Sequence, residues 1–373
     1  MGNVGLRILR FRDHLARRHH DQFNPTGRCK VNTTRVYNVV LVSVLSTLLL
    51  AGCDSSRQPA EHALAQDTDN AEKPEGLSAV EIIEVTDIVS AAMWGEDRVV
   101  AVSERALRIV DLTSRKVTSM VELPGGARRV MVAGDTAYVI AERERRMIRL
   151  YVVDLTECKI LRTQDYDRPF VRAWMAVLPD GNLALVAASV LIINPGSGKI
   201  LSEIDFPDGI AEDAHLVGDR LYVACSYPGG VAIVDTTKGQ LLKVVDTEDW
   251  LAAIWIINHR SYVRSSSGGG LCTIDLASGS LEKANPPLTQ RPISLWSDTS
   301  PGTLLAITRE TVHKLDADLR VLARSPLPSE LQSQDIRIVK RDGEVLVLEV
   351  RWVGIATLDL SALAFERVAH EDE

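Results

Sequence analysis

An all-β chain built from seven copies of one four-stranded unit is the fold this sequence predicts. Three observations carry it. An apolar strand ending in Asp or Asn, followed by a short polar turn, recurs at Asp111, Asp154, Asn194, Asp235, Asp275, Asp316 and Asp359, at separations of 43, 40, 41, 40, 41 and 43 residues. A second phrase, a Gly/Asp turn and then a strand, precedes the landmarks, as in GDTAYVIAE at 134–142 and GDRLYVACS at 218–226. Finally, the chain is 46% hydrophobic but only 5% aromatic, so Val, Ile, Leu and Ala must fill the core. Those residues alternate with polar ones, as half-buried strands require.

Each repeat therefore holds four short strands at hairpin spacing. Four antiparallel strands per forty-odd residues, repeated seven times, predict a β-propeller of seven four-stranded blades. Seven copies nearly exhaust residues 80–373. The surplus, VEIIEV at 80–85, is expected to pair with the last blade near 362–369 and close the ring, because an open propeller leaves two unpaired sheet edges. The landmark carboxylates are expected to form turns by accepting hydrogen bonds from N–H groups two residues on. Asn194 fits that role, since an amide keeps the acceptor and drops the charge.

The phrase DTTKGQLL at 235–242 resembles the repeats of YVTN/LVIVD-type seven-bladed propellers. It is loosely similar to the quinoprotein-like blade consensus as well, in which Asp, Thr, Gly and a later Trp recur. The resemblance spans roughly residues 80–373. The late Trp is missing from every copy, so no quinone and no other cofactor is expected. Paired Gly-His and Trp-Asp marks of WD40 repeats do not occur either.

The N-terminus differs from the rest. Eight Lys/Arg face two Asp in the first 35 residues, and the uncharged, aliphatic run 36–52 follows. A basic region, an apolar region and a small-residue site in that order read as a secretory signal. Leu50-Ala51-Gly52-Cys53 resembles the lipobox of bacterial lipoproteins, which implies cleavage between Gly52 and Cys53 and a lipid on the Cys53 sulfur. The basic region is long for such a signal, and initiation at Val31 would leave one of ordinary length. Residues 1–52 are thus read as signal peptide, 53–79 as lipidated Cys and disordered tether, and 80–373 as propeller. The expected address is the cell envelope, on the periplasmic side, with Asp54 favouring the inner membrane over the outer.

Removing the basic segment leaves a formal charge of −14 in place of −8. So acidic a domain is a poor match for nucleic acid, which needs a basic surface. Loops before the innermost strands carry charges of both signs, among them Arg128, Arg129, Arg172, Asp335 and, beside Trp250, Asp249. Glu212, Asp213 and His215, with His259 one blade on, form the nearest approach to a polar cluster. Strand alternation puts Asp213 and His215 on one face. Trp94, Trp174, Trp255 and Trp296 fall in inner-strand phrases and are expected to fill the wedges between blades. Cys158, Cys225 and Cys272 include no CxxC pair, and no metal, nucleophile-elbow or phosphate-loop motif is present. The expected function is a membrane-anchored, non-catalytic platform for an envelope protein, peptide or ligand. A lactonase- or oxidoreductase-like enzyme with its site at the channel mouth is the alternative.

Overall fold

The computed structural model describes residues 79–143, 147–169, 174–206, 211–226, 229–247, 249–266, 270–278, 280–283 and 292–368. The expectations for Gly52, Cys53, the tether and Arg172 lie outside these residues. Within them the chain forms seven antiparallel sheets in sequence order, six of four strands and one of five. Blades 1 to 6 span 88–122, 127–169, 174–205, 211–246, 251–283 and 294–326. Blade 7 combines 336–359 with the N-terminal strand Val80–Glu84.

Alternation along each strand explains how the blades stack. Val99 and Ala101 of the second strand of blade 1 face one neighbour, and Val100 and Val102 face the other. Each of the seven buried apolar clusters lies between one pair of consecutive blades, the last between blade 7 and blade 1. The ring is therefore closed by packing as well as by strand pairing. Fully burying one Val or Leu contributes roughly 1.5–3 kcal/mol, so a cluster of eight or more such residues outweighs the few polar contacts at the same junction.

The landmark turns form, with the N–H donor two residues on in five of them and three residues on at Asp111 and Asn194. Asp111 accepts from the Ser114 N–H at 2.6 Å, Asp154 from Thr156 at 2.9 Å, Asn194 from Ser197 at 2.8 Å and Asp235 from Thr237 at 3.1 Å. Asp275, Asp316 and Asp359 repeat the contact with Ala277, Asp318 and Ser361. Four residues after the landmark the backbone turns left-handed, at Arg115, Cys158, Gly198 and Gly239. Glycine is the unstrained choice there, and Arg115 and Cys158 hold the conformation at a cost.

Ring closure departs from expectation in one detail. Val80–Glu84 pairs with Gly354–Asp359, not with 362–369. Asp359 caps a short 3₁₀ turn, Leu360–Ala362, which diverts the chain, and Glu366–Arg367 pairs instead with Ala323 and Arg324 of blade 6. The closing strand comes so near that a Cβ on Gly354 would lie 2.1 Å from the Ile83 carbonyl oxygen.

Candidate functional site: the central channel

The seven innermost strands enclose a cavity of about 1040 Å³. In blades 1, 2, 4 and 5 the innermost strand opens with a bulge, so that an extra residue (Val89, Arg128, Glu212 or Ala252) interrupts the pairing. A bulge re-aims the residues beside it, and all four of these line the cavity. The residue after the bulge, with its equivalents in the other blades, forms a ring: Ser90, Arg129, Trp174, Asp213, Ala253, Ser294 and Arg337.

An innermost strand has a free edge, whose N–H groups need acceptors. At three junctions the ring residue of one blade provides it. Ser90 Oγ accepts from the Val130 N–H at 3.3 Å, Asp213 from Ile254 at 3.3 Å and Ser294 from Ile338 at 3.3 Å. Blade 7 carries Arg337, which has no acceptor atom. Its cross-strand partner Glu349 takes over, accepting from the Ala91 N–H of blade 1 at 2.8 Å.

These groups sit in a strained electrostatic setting. Burial pushes the carboxyls of Asp213 and Glu349 above the ordinary carboxylate range, against the opposing pull of Arg129 and Arg337. Burial, and then the charge of Arg337, push Arg129 down to about 10. His215 is pushed down by burial, with Asp213 pulling the other way. Such perturbed groups around one cavity mark a functional site more often than chance would.

The expected polar cluster is partly assembled. Glu212, Asp213 and His215 all line the channel. His259 does not join them: it sits exposed in the left-handed turn Asn258–His259 that links Leu251–Ile257 to Arg260–Ser265. That turn is at the far end of the innermost strand of blade 5, and seven residues at about 3.3 Å each put roughly 20 Å between it and the mouth. Arg128 reaches the mouth and is shared between Glu104 at 2.9 Å and Glu142 at 3.2 Å. Asp335 pairs with Arg351 at 3.4 Å on the same rim.

The tryptophans divide. Trp94 is buried, donates from Nε1 to Asp135 at 3.1 Å and stacks under Arg98. Trp174, Trp255 and Trp296 pack on the inter-blade clusters as expected, yet they also line the channel. Trp255 and Trp296 occupy the position that His215 holds in blade 4, so the wall of blades 5 and 6 is aromatic just beyond the charged ring. Arg129 was legible only as one rim charge among many, and Arg337 and Glu349 gave no sequence signal. Among the described residues, Cys158, Cys225 and Cys272 form no disulfide, and burial pushes Cys225 up to about 11.

Two further tryptophans, Trp250 and Trp352, are each 51% exposed. Trp250 directly precedes the innermost strand of blade 5, and Trp352 lies in the turn between the second and third strands of blade 7. Antiparallel pairing puts both positions at the end where innermost strands begin, which is the charged mouth. Trp352 has a left-handed backbone (φ 67°) and donates its N–H to the Ile88 carbonyl at 2.9 Å. A bulky residue held in that conformation is a strained one.

No family model matches this chain, and no curated protein does. Solved structures match it. A structure of U3-55K aligns with a TM-score of 0.61 and 11% identity, covering 75% of this chain and 98% of that one. Hsv2 of Kluyveromyces lactis aligns with a TM-score of 0.54 and 12% identity over 72% of this chain and 91% of that one. A variant of it with loop 6CD replaced by a Gly-Ser linker gives 0.54, 12%, 72% and 90%. At such identity the likeness is one of fold, and on that ground and on its seven closed blades the chain is a seven-bladed β-propeller.

Proposed function

We propose that this propeller is a non-catalytic binding platform, anchored in the cell envelope through a lipid on Cys53, and that it receives an envelope protein or peptide on the face bearing the charged mouth. The observation that supports this reading is the pair of half-exposed tryptophans, Trp250 and Trp352, on that face. Tryptophan and arginine dominate the energetic centres of protein interfaces, and Arg351 lies 5.1 Å from the Trp352 ring. Strain retained at an exposed residue is a cost with no return in stability, which fits a role in recognition. The channel carboxylates fit the same reading, because Asp213 and Glu349 accept from main-chain N–H groups at blade junctions.

The enzyme alternative rests on Asp213 and His215, whose shifted ionisation and shared lumen suit proton transfer. Pull-down and crosslinking from detergent-solubilised membranes separate the two. A partner should co-purify with the full-length chain and be lost on Trp250→Ala or Trp352→Ala. Trp352→Gly should also lose it, while raising stability by about 1 kcal/mol as the left-handed strain is relieved. Recovery of the protein alone, or capture indifferent to all three substitutions, would overturn the platform reading.

A further inference from the structure

We infer that the channel binds a small organic anion, its acid group held between Arg129 and Arg337 and its apolar body laid against Trp255 and Trp296. This goes beyond the platform reading and needs no partner protein. The two arginines hold the ring position of blades 2 and 7, on either side of blade 1, and the ring residue between them is only Ser90. Arg129 feels the charge of Arg337, which after burial is a cause of its lowered value.

Among the described residues, no carboxylate lies within 4.0 Å of either guanidinium. Asp213 and Glu349 feel the charge of both arginines, but each commits an oxygen to a main-chain N–H, of Ile254 and Ala91, and burial favours their neutral forms. An anion seated between two planar guanidinium forks removes their repulsion and accepts paired, charge-assisted hydrogen bonds. Arg337 is exposed to the lumen, so an entering anion meets it without any opening of the ring. The remaining wall supplies the second half of the site. Trp255 and Trp296 are only partly buried by the blade clusters and turn the rest of their surface to the cavity. A cavity of about 1040 Å³ is at the upper end of the range for small-molecule sites.

The carboxylate and phosphate versions of such a ligand share this chemistry, and calorimetric titration of the full-length chain with benzoate, phenyl phosphate, inorganic phosphate and benzylamine distinguishes them. One site per chain is expected for benzoate or phenyl phosphate, the tighter of the two naming the acid group. Either should bind about tenfold tighter than inorganic phosphate, and benzylamine should not bind. Arg337→Gln should weaken binding at least about tenfold and Arg337→Lys less, with thermal melts showing that both variants fold. Trp255→Ala should erase the margin over inorganic phosphate. If the folded wild-type chain binds neither aromatic acid saturably, or if a folded Arg337→Gln binds them unchanged, the inference fails. That result would leave capture of a partner on the mouth face unaffected.

Discussion

Asp213 and Glu349 titrate in the opposite sense to the landmark aspartates, and the contrast gives each a signature. Backbone and hydroxyl donors in the turns hold Asp111, Asp154, Asp235, Asp275 and Asp359 below their ordinary value of 3.8. Stability from such groups is fully present above that value and is lost as pH falls through the lowered folded value. Asp235→Asn, which copies Asn194, should therefore keep the turn and flatten the acid limb of a melting-temperature profile between pH 5 and pH 2 (about those limits). Glu349 behaves the other way. Its raised folded value means that the stability it contributes is present below 4.5 and fades as pH rises through the folded value. Glu349→Gln keeps an acceptor for Ala91, so its stability relative to wild type should improve as pH rises. Urea midpoints in acid and at neutrality check the sign. Glu349→Ala orphans the Ala91 N–H and should cost about 1–3 kcal/mol at either pH.

At the scale of elements, the informative junction is the one between the chain's first and last blade strands. Pairing of Val80–Glu84 with Gly354–Asp359 leaves no space for a side chain at Gly354. Gly354→Ala should cost about 1–3 kcal/mol and strip amides 80–84 of their protection from hydrogen exchange. Gly270→Ala, where an added Cβ meets nothing within 4 Å, should do neither. Equal protection in both variants would mean that the closing strand is not what seals the ring. The same junction shows where sequence reading falls short. The strand itself was legible as the surplus left by seven repeats, but its partner depended on the 3₁₀ turn after Asp359, a local capping event that leads 360–368 away to blade 6.

For the molecule as a whole, the address and the fold are separable claims. The described fold starts at the strand Val80–Glu84, and Cys53 lies well before it. Cys53→Ser should abolish labelling with radioactive fatty acid and shift the protein out of the membrane fraction, while leaving the propeller's melting temperature unchanged. Retention in the membrane without labelling would favour an uncleaved apolar anchor instead of a lipid. If the mature chain carries the formal −14, binding to anionic lipid or nucleic acid should be weak at low salt as well.

What the sequence determined by itself was everything enforced by local, repeated physics. The Asx turns from Asp111 to Asp359 are made within four residues of each landmark, so their spacing alone counts the blades. Aliphatic runs do the same for the middle strands, since burial on both faces writes near-continuous Val, Leu, Ile and Ala into stretches such as Arg98–Ser103 and Leu183–Val186. The channel was beyond that kind of inference. Arg129, Asp213 and Arg337 are far apart in the chain, and only closure of the ring brings them to one level of one cavity. Bulges at the starts of the innermost strands then bring two consecutive residues, the extra one and the next, to the cavity, and a one-residue shift cannot be read from alternation that it interrupts. Tertiary structure also split the tryptophans: Trp174 stands at the level of the charged ring, Trp255 and Trp296 two residues further along their strands, and Trp94 at the far end of its strand, where Asp135 of the next blade covers it.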